Sequence, residues 1–123
     1  MTGKELIDRT LQLLNYTDSY GNVSGQQSAE IYKRAVPVIN QILADVRHVS
    51  RGTFSLIEKI DDELPVSEDI AVRVMPWGVG MLIAQGENDG DSHQMMSANY
   101  NRLRASIPRS TDRVRDVAPN VWL

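Results

Sequence analysis

The sequence predicts an all-α domain, a small bundle of four to five helices with proline kinks and an extended C-terminal tail. Apolar residues recur at helical spacing in four stretches that short turns separate. Hydrophobic residues make up 41% and charged residues 24% of the 123-residue chain, a composition typical of one folded domain. The aromatic residues are only one Phe, four Tyr and two Trp, so the core must be mainly aliphatic.

The first helix is expected over residues 3–15. Thr2 and Glu5 have the spacing of a capping box, in which each side chain accepts a hydrogen bond from the other residue's backbone N–H. A stripe expected to be buried follows at helical spacing, and it consists of Leu6, Ile7, Thr10, Leu11 and Leu14. Turn-forming residues then fill the loop over residues 17–25.

The second helix is expected over residues 26–49, and Pro37 lies inside it. Proline removes one helical hydrogen bond and crowds the preceding turn, so we expect one kinked helix. The alternative is two helices, with Pro37 in the first turn of the second. Beyond this region, residues 54–60 alternate weakly between apolar and polar and are expected to be extended.

The third helix is expected to begin after Ser67, whose side chain can cap it. Pro76 interrupts its pattern, which predicts either a kink or a second helix that begins at Pro76. Residues 79–84 are apolar on every side of the helix. This segment should therefore lie in the centre of the core.

The last helix is expected over residues 92–106, with Asp91 and Gln94 as its capping pair and Pro108 as its end. The chain is thereby divided into a helical domain over residues 1–107 and an extended basic tail over residues 108–123. The residues in and just after this helix that are expected to be buried are Tyr100, Leu103, Ile107, one of Met95 and Met96, and part of Asn99.

Charge is unevenly distributed along the chain. Residues 1–100 carry 8 Lys and Arg against 14 Asp and Glu, whereas residues 101–123 carry five Arg and two Asp. An acidic body does not favour nucleic-acid binding, but a basic tail can bind an acidic surface. The apolar tip of the tail fits an anchor in a partner's pocket, and the alternative is a tail that folds back on its own body. The candidate partner-binding residues are Arg109, Arg113, Arg115, Val121, Trp122 and Leu123.

No pattern for catalysis, metal binding or cofactor binding is found, so we expect no enzyme. Cysteine is absent, and neither His48 nor His93 has a second His at ligand spacing, so both are expected to be structural or surface residues. The motifs of phosphate-binding loops, dinucleotide-binding loops and serine hydrolases do not occur. The six acids within residues 58–69 are expected to form a solvated loop and helix-start charges. Residues 87–91 fit a turn and a helix cap better than a calcium loop.

The chain has no membrane-spanning apolar run of about 20 residues. Its first residues also lack the apolar segment of a secretion signal. An intracellular soluble protein is therefore expected.

Residues 61–103 carry a pattern that points to one family. An acidic turn over residues 61–65 ends in Leu-Pro and leads into a helix. A proline–aromatic–glycine step then opens a small-residue apolar helix over residues 75–84. A Gly/Asp turn over residues 86–91 precedes a helix that contains Asn-Tyr-Asn-Arg-Leu at residues 99–103. This pattern, together with residues 35–45, resembles the small head–tail connector (adaptor) proteins of tailed phages and prophages.

The resemblance covers roughly residues 28–105 and departs from the family pattern in two places. Trp77 stands where an aromatic such as Tyr is more usual, and Pro37 interrupts the second helix. The family has no active site, so no catalytic residue and no cofactor is implied.

The resemblance implies a subunit that forms a homo-oligomeric ring, expected to be a dodecamer, beneath the portal protein. A neck or tail completion protein would dock next, and DNA would be present only as the passing genome, with no membrane involved. The expected location is the virion neck, and the bacterial host cytoplasm during assembly. The alternative is a small helical DNA-binding or regulatory protein. Its footprint would be Arg102, Arg104, Arg109, Arg113 and Arg115.

Overall fold

The described part of the chain contains five helices, which confirm the all-α prediction. The structure is a computed structural model that describes residues 1–16, 25–46 and 55–107, without the side chains of residues 25–28. Within those ranges one isolated antiparallel bridge, between Thr2 and Glu63, lies outside the helices. In chain order the helices are α1 (Gly3–Leu13), α2 (Gly25–Val46), α3 (Glu68–Arg73), α4 (Met75–Gly86) and α5 (Gly90–Ala105).

Helix α1 begins with the predicted capping box. The Glu5 N–H donates to Thr2 Oγ1 at 3.2 Å, and the Thr2 N–H donates to Glu5 Oε1 at 2.8 Å. The helix ends at Leu13, two residues before the predicted end, and Asn15 follows with a φ of 65°. Asparagine tolerates this left-handed conformation better than other residues with a side chain, so it suits a helix end.

The first turn of α1 is held against the turn that precedes α3. Gly3 N–H donates to the Asp62 carbonyl at 3.0 Å, and Lys4 N–H donates to the Ile60 carbonyl at 2.7 Å. These bonds satisfy amide groups that have no acceptor inside the helix. The acidic turn therefore fixes where α1 begins.

Helix α2 continues through Pro37, so the prediction of one helix is confirmed and the alternative of two helices is wrong. Pro37 lies on the exposed side of the helix, where its ring displaces no core side chain. The described helix ends at Val46, and the predicted end at residue 49 lies outside the described residues.

The segment that begins at residue 55 is held against α2 by the side chain of Asn40. Asn40 Oδ1 accepts from the Ile57 N–H at 2.9 Å, and Asn40 Nδ2 donates to the Ile57 carbonyl at 3.0 Å. Residues 55–57 have no regular secondary structure and residues 58–60 form a bend and turn. The extended prediction is therefore wrong for residues 58–60, where Asp62 closes a tight turn, and residue 54 lies outside the described residues.

Helices α3 and α4 meet at Val74, which ends the first and begins the second. The Ser67 side chain caps α3 by accepting from the Ile70 N–H at 3.3 Å, as predicted. Pro76 lies in the first turn of α4, where its missing N–H leaves no helical bond unmade. Of the two predicted possibilities, a second helix beginning near Pro76 is the one observed.

Helix α4 occupies the centre of the fold, as the apolar run predicted. It packs against each of α1, α2, α3 and α5. Gly78 and Gly80 allow α5 to approach closely, since a Cβ at Gly80 would lie 3.0 Å from Met96 Sδ. The closest approach is at Gly78, where an added Cβ would lie 2.7 Å from Tyr100 Cε1.

Helix α5 begins earlier than predicted, because its cap is Asp89 and not Asp91. Asp89 Oδ1 accepts from the Ser92 N–H at 3.2 Å. Asn88 has a φ of 57° and turns the chain so that Asp89 reaches the cap position. The turn-and-cap interpretation of this segment is confirmed, and the capping pair of Asp91 and Gln94 is wrong.

The core is mainly aliphatic, as the composition predicted. Tyr100 is buried, and of the two adjacent methionines Met96 is buried while Met95 is 47% exposed. Leu103 is only partly buried. The fully buried large side chains are Leu6, Ile7, Thr10, Leu11, Ile31, Ile39, Leu43, Val46, Val74, Met75, Val79 and Met96.

Candidate interaction site

The predicted partner-binding residues all lie in the tail, outside the described residues. They are Arg109, Arg113, Arg115, Val121, Trp122 and Leu123. The predicted division between a domain over 1–107 and a tail over 108–123 stays a prediction for the same reason. What the structure does describe is the point at which the chain leaves the body, and the surface around that point.

The chain leaves the body from a tightly held end of α5. Arg104 Nε lies 3.2 Å from Asp45 Oδ2 of α2, and Arg73 Nη1 of α3 donates to Ser106 Oγ at 3.1 Å. Ile107, the last described residue, is only 7% exposed and belongs to the core. The end of α5 is therefore held by contacts with both α2 and α3.

A groove of about 380 Å³ lies between α2 and α5. Both helices pack on α4 but have few direct contacts with each other. Met81 of α4 therefore lies at the bottom of the groove between them. The groove is largely open to solvent, and its volume lies within the range of roughly 300–1,000 Å³ found for small-molecule clefts. The residues that line the groove are Gln41, Ile42, Ala44, Asp45, Met81 and Tyr100.

Asp45 links the two helices at this groove. Its Oδ2 accepts from the Tyr100 hydroxyl at 2.5 Å and lies 3.2 Å from Arg104 Nε. Burial raises the pKa of Tyr100 well above its usual value, and the hydrogen bond to Asp45 raises that pKa further. The Tyr100 hydroxyl is therefore a stable donor at neutral pH, and the side chain is not poised for proton transfer.

Two more tyrosine–aspartate pairs join other helices. The Tyr32 hydroxyl of α2 donates to Asp8 of α1. The Tyr16 hydroxyl, just after α1, donates at 2.9 Å to Asp89, the cap of α5. Burial, and then the bond to Asp8, raises the pKa of Tyr32 to about 12. Three of the four tyrosines thus act as hydrogen-bonded links between helices.

The acidic segment has the structural roles expected of a solvated loop and helix-start charges. Asp62 Oδ2 accepts from the Glu58 and Lys59 N–H groups at 2.9 Å, which lowers its pKa. The side chains of Glu63 and Glu68 are 75% and 71% exposed, and both contact the Met1 ammonium. This segment is not arranged as a pair of buried catalytic carboxylates, which would need burial or a close charge to shift their pKa values.

The histidines offer no metal site in the part of the chain that is described. Nδ1 of His93 lies 2.9 Å from the Met81 carbonyl, which is a structural hydrogen bond of the kind expected. His48 lies outside the described residues. Over residues 1–16, 25–46 and 55–107, no three His, Asp or Glu side chains are grouped so that they could hold a metal ion.

Trp77, the aromatic residue of the proline–aromatic–glycine step, is partly buried and packs against the core. Two arginines of the predicted DNA footprint, Arg102 and Arg104, also lie within the described residues. Arg102 is exposed and its guanidinium donates to Asn99 Oδ1 at 3.2 Å. Arg104 is paired with Asp45, and Arg102 contacts no carboxylate among the described residues.

The Asp45–Tyr100–Arg104 cluster was not predicted from the sequence. Tyr100 and Arg104 share one face of α5, because they are four residues apart. Asp45 lies 55 positions before Tyr100, so no local pattern connects them. The one available signal was an acidic residue beside the apolar stripe of α2, near residues 42, 43 and 46.

Comparison with protein-family models, with curated proteins and with solved structures finds no match for this chain. No helix within the described ranges is long and apolar enough to cross a membrane. A functional conclusion must therefore come from the residues and their arrangement.

Proposed function

We propose that this protein is a head–tail connector (adaptor) subunit of a tailed phage or prophage, which joins the portal to neck or tail proteins. The observation that carries the proposal is the contact between Gly78 and Tyr100. These residues belong to separate parts of the pattern that resembles connector proteins, the proline–aromatic–glycine step and the tyrosine helix. An added Cβ at Gly78 would lie 2.7 Å from the Tyr100 ring, so a single packing contact accounts for both parts.

The other parts of the pattern also have structural reasons in this fold. The acidic turn over residues 61–65 receives the first turn of α1 through the hydrogen bond from the Gly3 N–H to the Asp62 carbonyl. The Gly/Asp turn over residues 86–91 carries Asn88 in its left-handed conformation and Asp89 as the cap of α5. Because each part of the pattern contributes to the same packing, the pattern describes a fold, and this supports the proposed resemblance.

Exposed apolar side chains on the body and the basic tail support the proposed assembly into a ring. A ring needs two different complementary surfaces on each subunit, because the interface is heterologous and must close. Leu56 and Met95 are 53% and 47% exposed and offer apolar contacts on the body. The basic tail offers a second, different binding element, which fits the acidic carboxylates of a neighbouring body.

The charge of the body favours a DNA channel over a DNA-binding site. Residues 1–100 carry 14 Asp and Glu against 8 Lys and Arg, and this negative net charge would repel a phosphate backbone. A channel lined by such a body would let the genome pass without holding it. The DNA-binding alternative is weakened because Arg104 is already paired with Asp45.

The test is co-purification with the portal protein that the same genome encodes. The full chain should form a complex of high mass with the portal. A chain that ends after Pro108 should keep the helical circular dichroism of the parent but should not join the complex. Failure of the full chain to bind any portal would contradict the connector function. Assembly of the shortened chain would contradict only the role of the tail.

A further inference from the structure

We infer that the groove between α2 and α5 holds the Val121–Trp122–Leu123 segment of the same chain while the subunit is unassembled. This inference concerns the isolated protein and does not depend on the connector function. It assigns an occupant to a groove whose lining combines aliphatic side chains with polar acceptors.

The described part of the chain ends close to a residue that lines the groove. Arg104, in the last turn of α5, contacts Asp45, which lines the groove. Ile107 follows Arg104 by about one helical turn and is fixed in the core. The described chain therefore ends three residues after a side chain that contacts the lining of the groove.

The tail is long enough for Trp122 to reach the groove. The residues between Ile107 and Trp122 number 14, and they can span at most roughly 50 Å when fully extended. The whole of α2 measures about 33 Å, at 1.5 Å per residue. Trp122 can therefore reach any point along the groove, including points that require the chain to reverse direction.

The lining of the groove matches the chemistry of a tryptophan side chain. Tryptophan has a large apolar ring and one N–H donor, so a matching site needs an apolar wall and an acceptor. Ile42, Ala44 and Met81 supply the apolar wall. Asp45 supplies the acceptor, because both of its contacts use Oδ2 and Oδ1 accepts no hydrogen bond from the described residues.

The effective concentration of the tail favours the chain's own tail over the tail of a second copy. A segment tied to its site by a short stretch of chain has an effective concentration on the order of millimolar. Protein in solution at micromolar concentration offers far fewer tails from other copies. The groove is therefore filled by the tail of its own chain, and ring assembly would require that tail to leave.

The test uses the full chain labelled with 5-fluorotryptophan and observed by fluorine NMR. Two resonances are expected, from Trp77 and Trp122, and Trp122→Phe identifies the second. A soluble gadolinium chelate then measures how accessible each ring is to solvent. The Trp122 resonance should be protected in the parent protein, and its protection should not change on dilution.

Ala44→Arg is the variant that blocks the groove. Ala44 is exposed, so a long charged side chain fits there without disturbing the core, and circular dichroism checks that the helices remain. The variant should make the Trp122 resonance as accessible as it is in the unfolded chain. Gln41→Arg, at another exposed lining position, should do the same. Ala98→Arg is the matched control, because Ala98 is exposed on α5 and does not line the groove.

Three results would overturn the inference. A Trp122 resonance that is fully accessible in the parent would show that the segment does not dock. Protection that survives both blocking variants would show docking elsewhere on the body. Protection that disappears on dilution would show that the groove holds the tail of a second copy.

Discussion

Tyr100 lies against Gly78 so closely that a single methyl group at position 78 would overlap its ring. The added Cβ would be 2.7 Å from Cε1 and 2.9 Å from Cδ1 of Tyr100. The ring has little freedom to move away, because its hydroxyl donates to Asp45 at 2.5 Å and the side chain is 2% exposed. The packing of α4 on α5 therefore requires glycine at this position.

Gly78→Ala should destabilise the fold by about 1–3 kcal/mol, because overpacking of a rigid site forces the backbone or the ring to shift. Urea unfolding followed by circular dichroism measures the loss. Gly90→Ala is the matched control, since nothing lies within 4 Å of a Cβ built there. Because Gly90 is in a helix, the control should be neutral or slightly stabilising. Equal stability of the two variants would contradict the proposed contact.

The three tyrosine–aspartate pairs should make the protein sensitive to alkali. The pKa values of Tyr16, Tyr32 and Tyr100 are raised in the folded state, to about 12 for Tyr32, above the usual value near 10. The stability that they contribute is complete below pH 10 and is lost as the pH rises through the folded values. The melting temperature should therefore fall above pH 10.

The triple variant with Tyr16→Phe, Tyr32→Phe and Tyr100→Phe isolates this effect from the titration of lysines. Its melting temperature should be lower than the parent's at pH 8, because three hydrogen bonds are removed. Its further fall above pH 10 should be smaller than the parent's. A parent and a triple variant with the same alkaline slope would exclude the tyrosines as the cause.

The assignment of Asp89 as the cap of α5 can be tested by comparing alanine substitutions at Asp89 and Asp91. Asp89 accepts from the Ser92 N–H and from the Tyr16 hydroxyl, and these bonds lower its pKa. Asp89→Ala should lower the melting temperature clearly at pH 7, whereas Asp91→Ala should change it little because Asp91 is exposed and does not cap the helix. A larger effect at Asp91 would restore the cap predicted from the sequence.

The lowered pKa of Asp89 also predicts how the effect of its substitution on the melting temperature changes in acid. A depressed pKa means that the contribution of Asp89 is present above its usual value near 4 and is lost as the pH falls through the folded value. The difference in melting temperature between the parent and Asp89→Ala should therefore shrink below pH 4. A difference that grows on acidification would contradict the assigned hydrogen bonds.

The sequence predicts the helices well where local chemistry decides the structure. The capping box at Thr2 and the new helix at Pro76 depend on residues within one or two turns, so their spacing is sufficient evidence. The cap of α5 was placed two residues too late, because Asp89 and Asp91 are both plausible caps. The left-handed conformation of Asn88 decides between them, and the sequence pattern does not reveal it.

The groove and its Asp45–Tyr100–Arg104 cluster could not be predicted, because they depend on how α2 and α5 pack on α4. Periodicity identifies which face of each helix is apolar but does not identify which residues from different helices meet. The tail residues of the predicted partner site lie outside the described residues, so their role stays a prediction.

Size-exclusion chromatography with light scattering, on the protein mixed with the portal of its own genome, is the decisive measurement of the connector function. One peak of high mass should contain both proteins in fixed proportion, from which the number of subunits in the ring follows. Two separate peaks at the masses of the individual proteins would contradict it. A salt-dependent shift of DNA by the isolated protein would then favour the DNA-binding alternative.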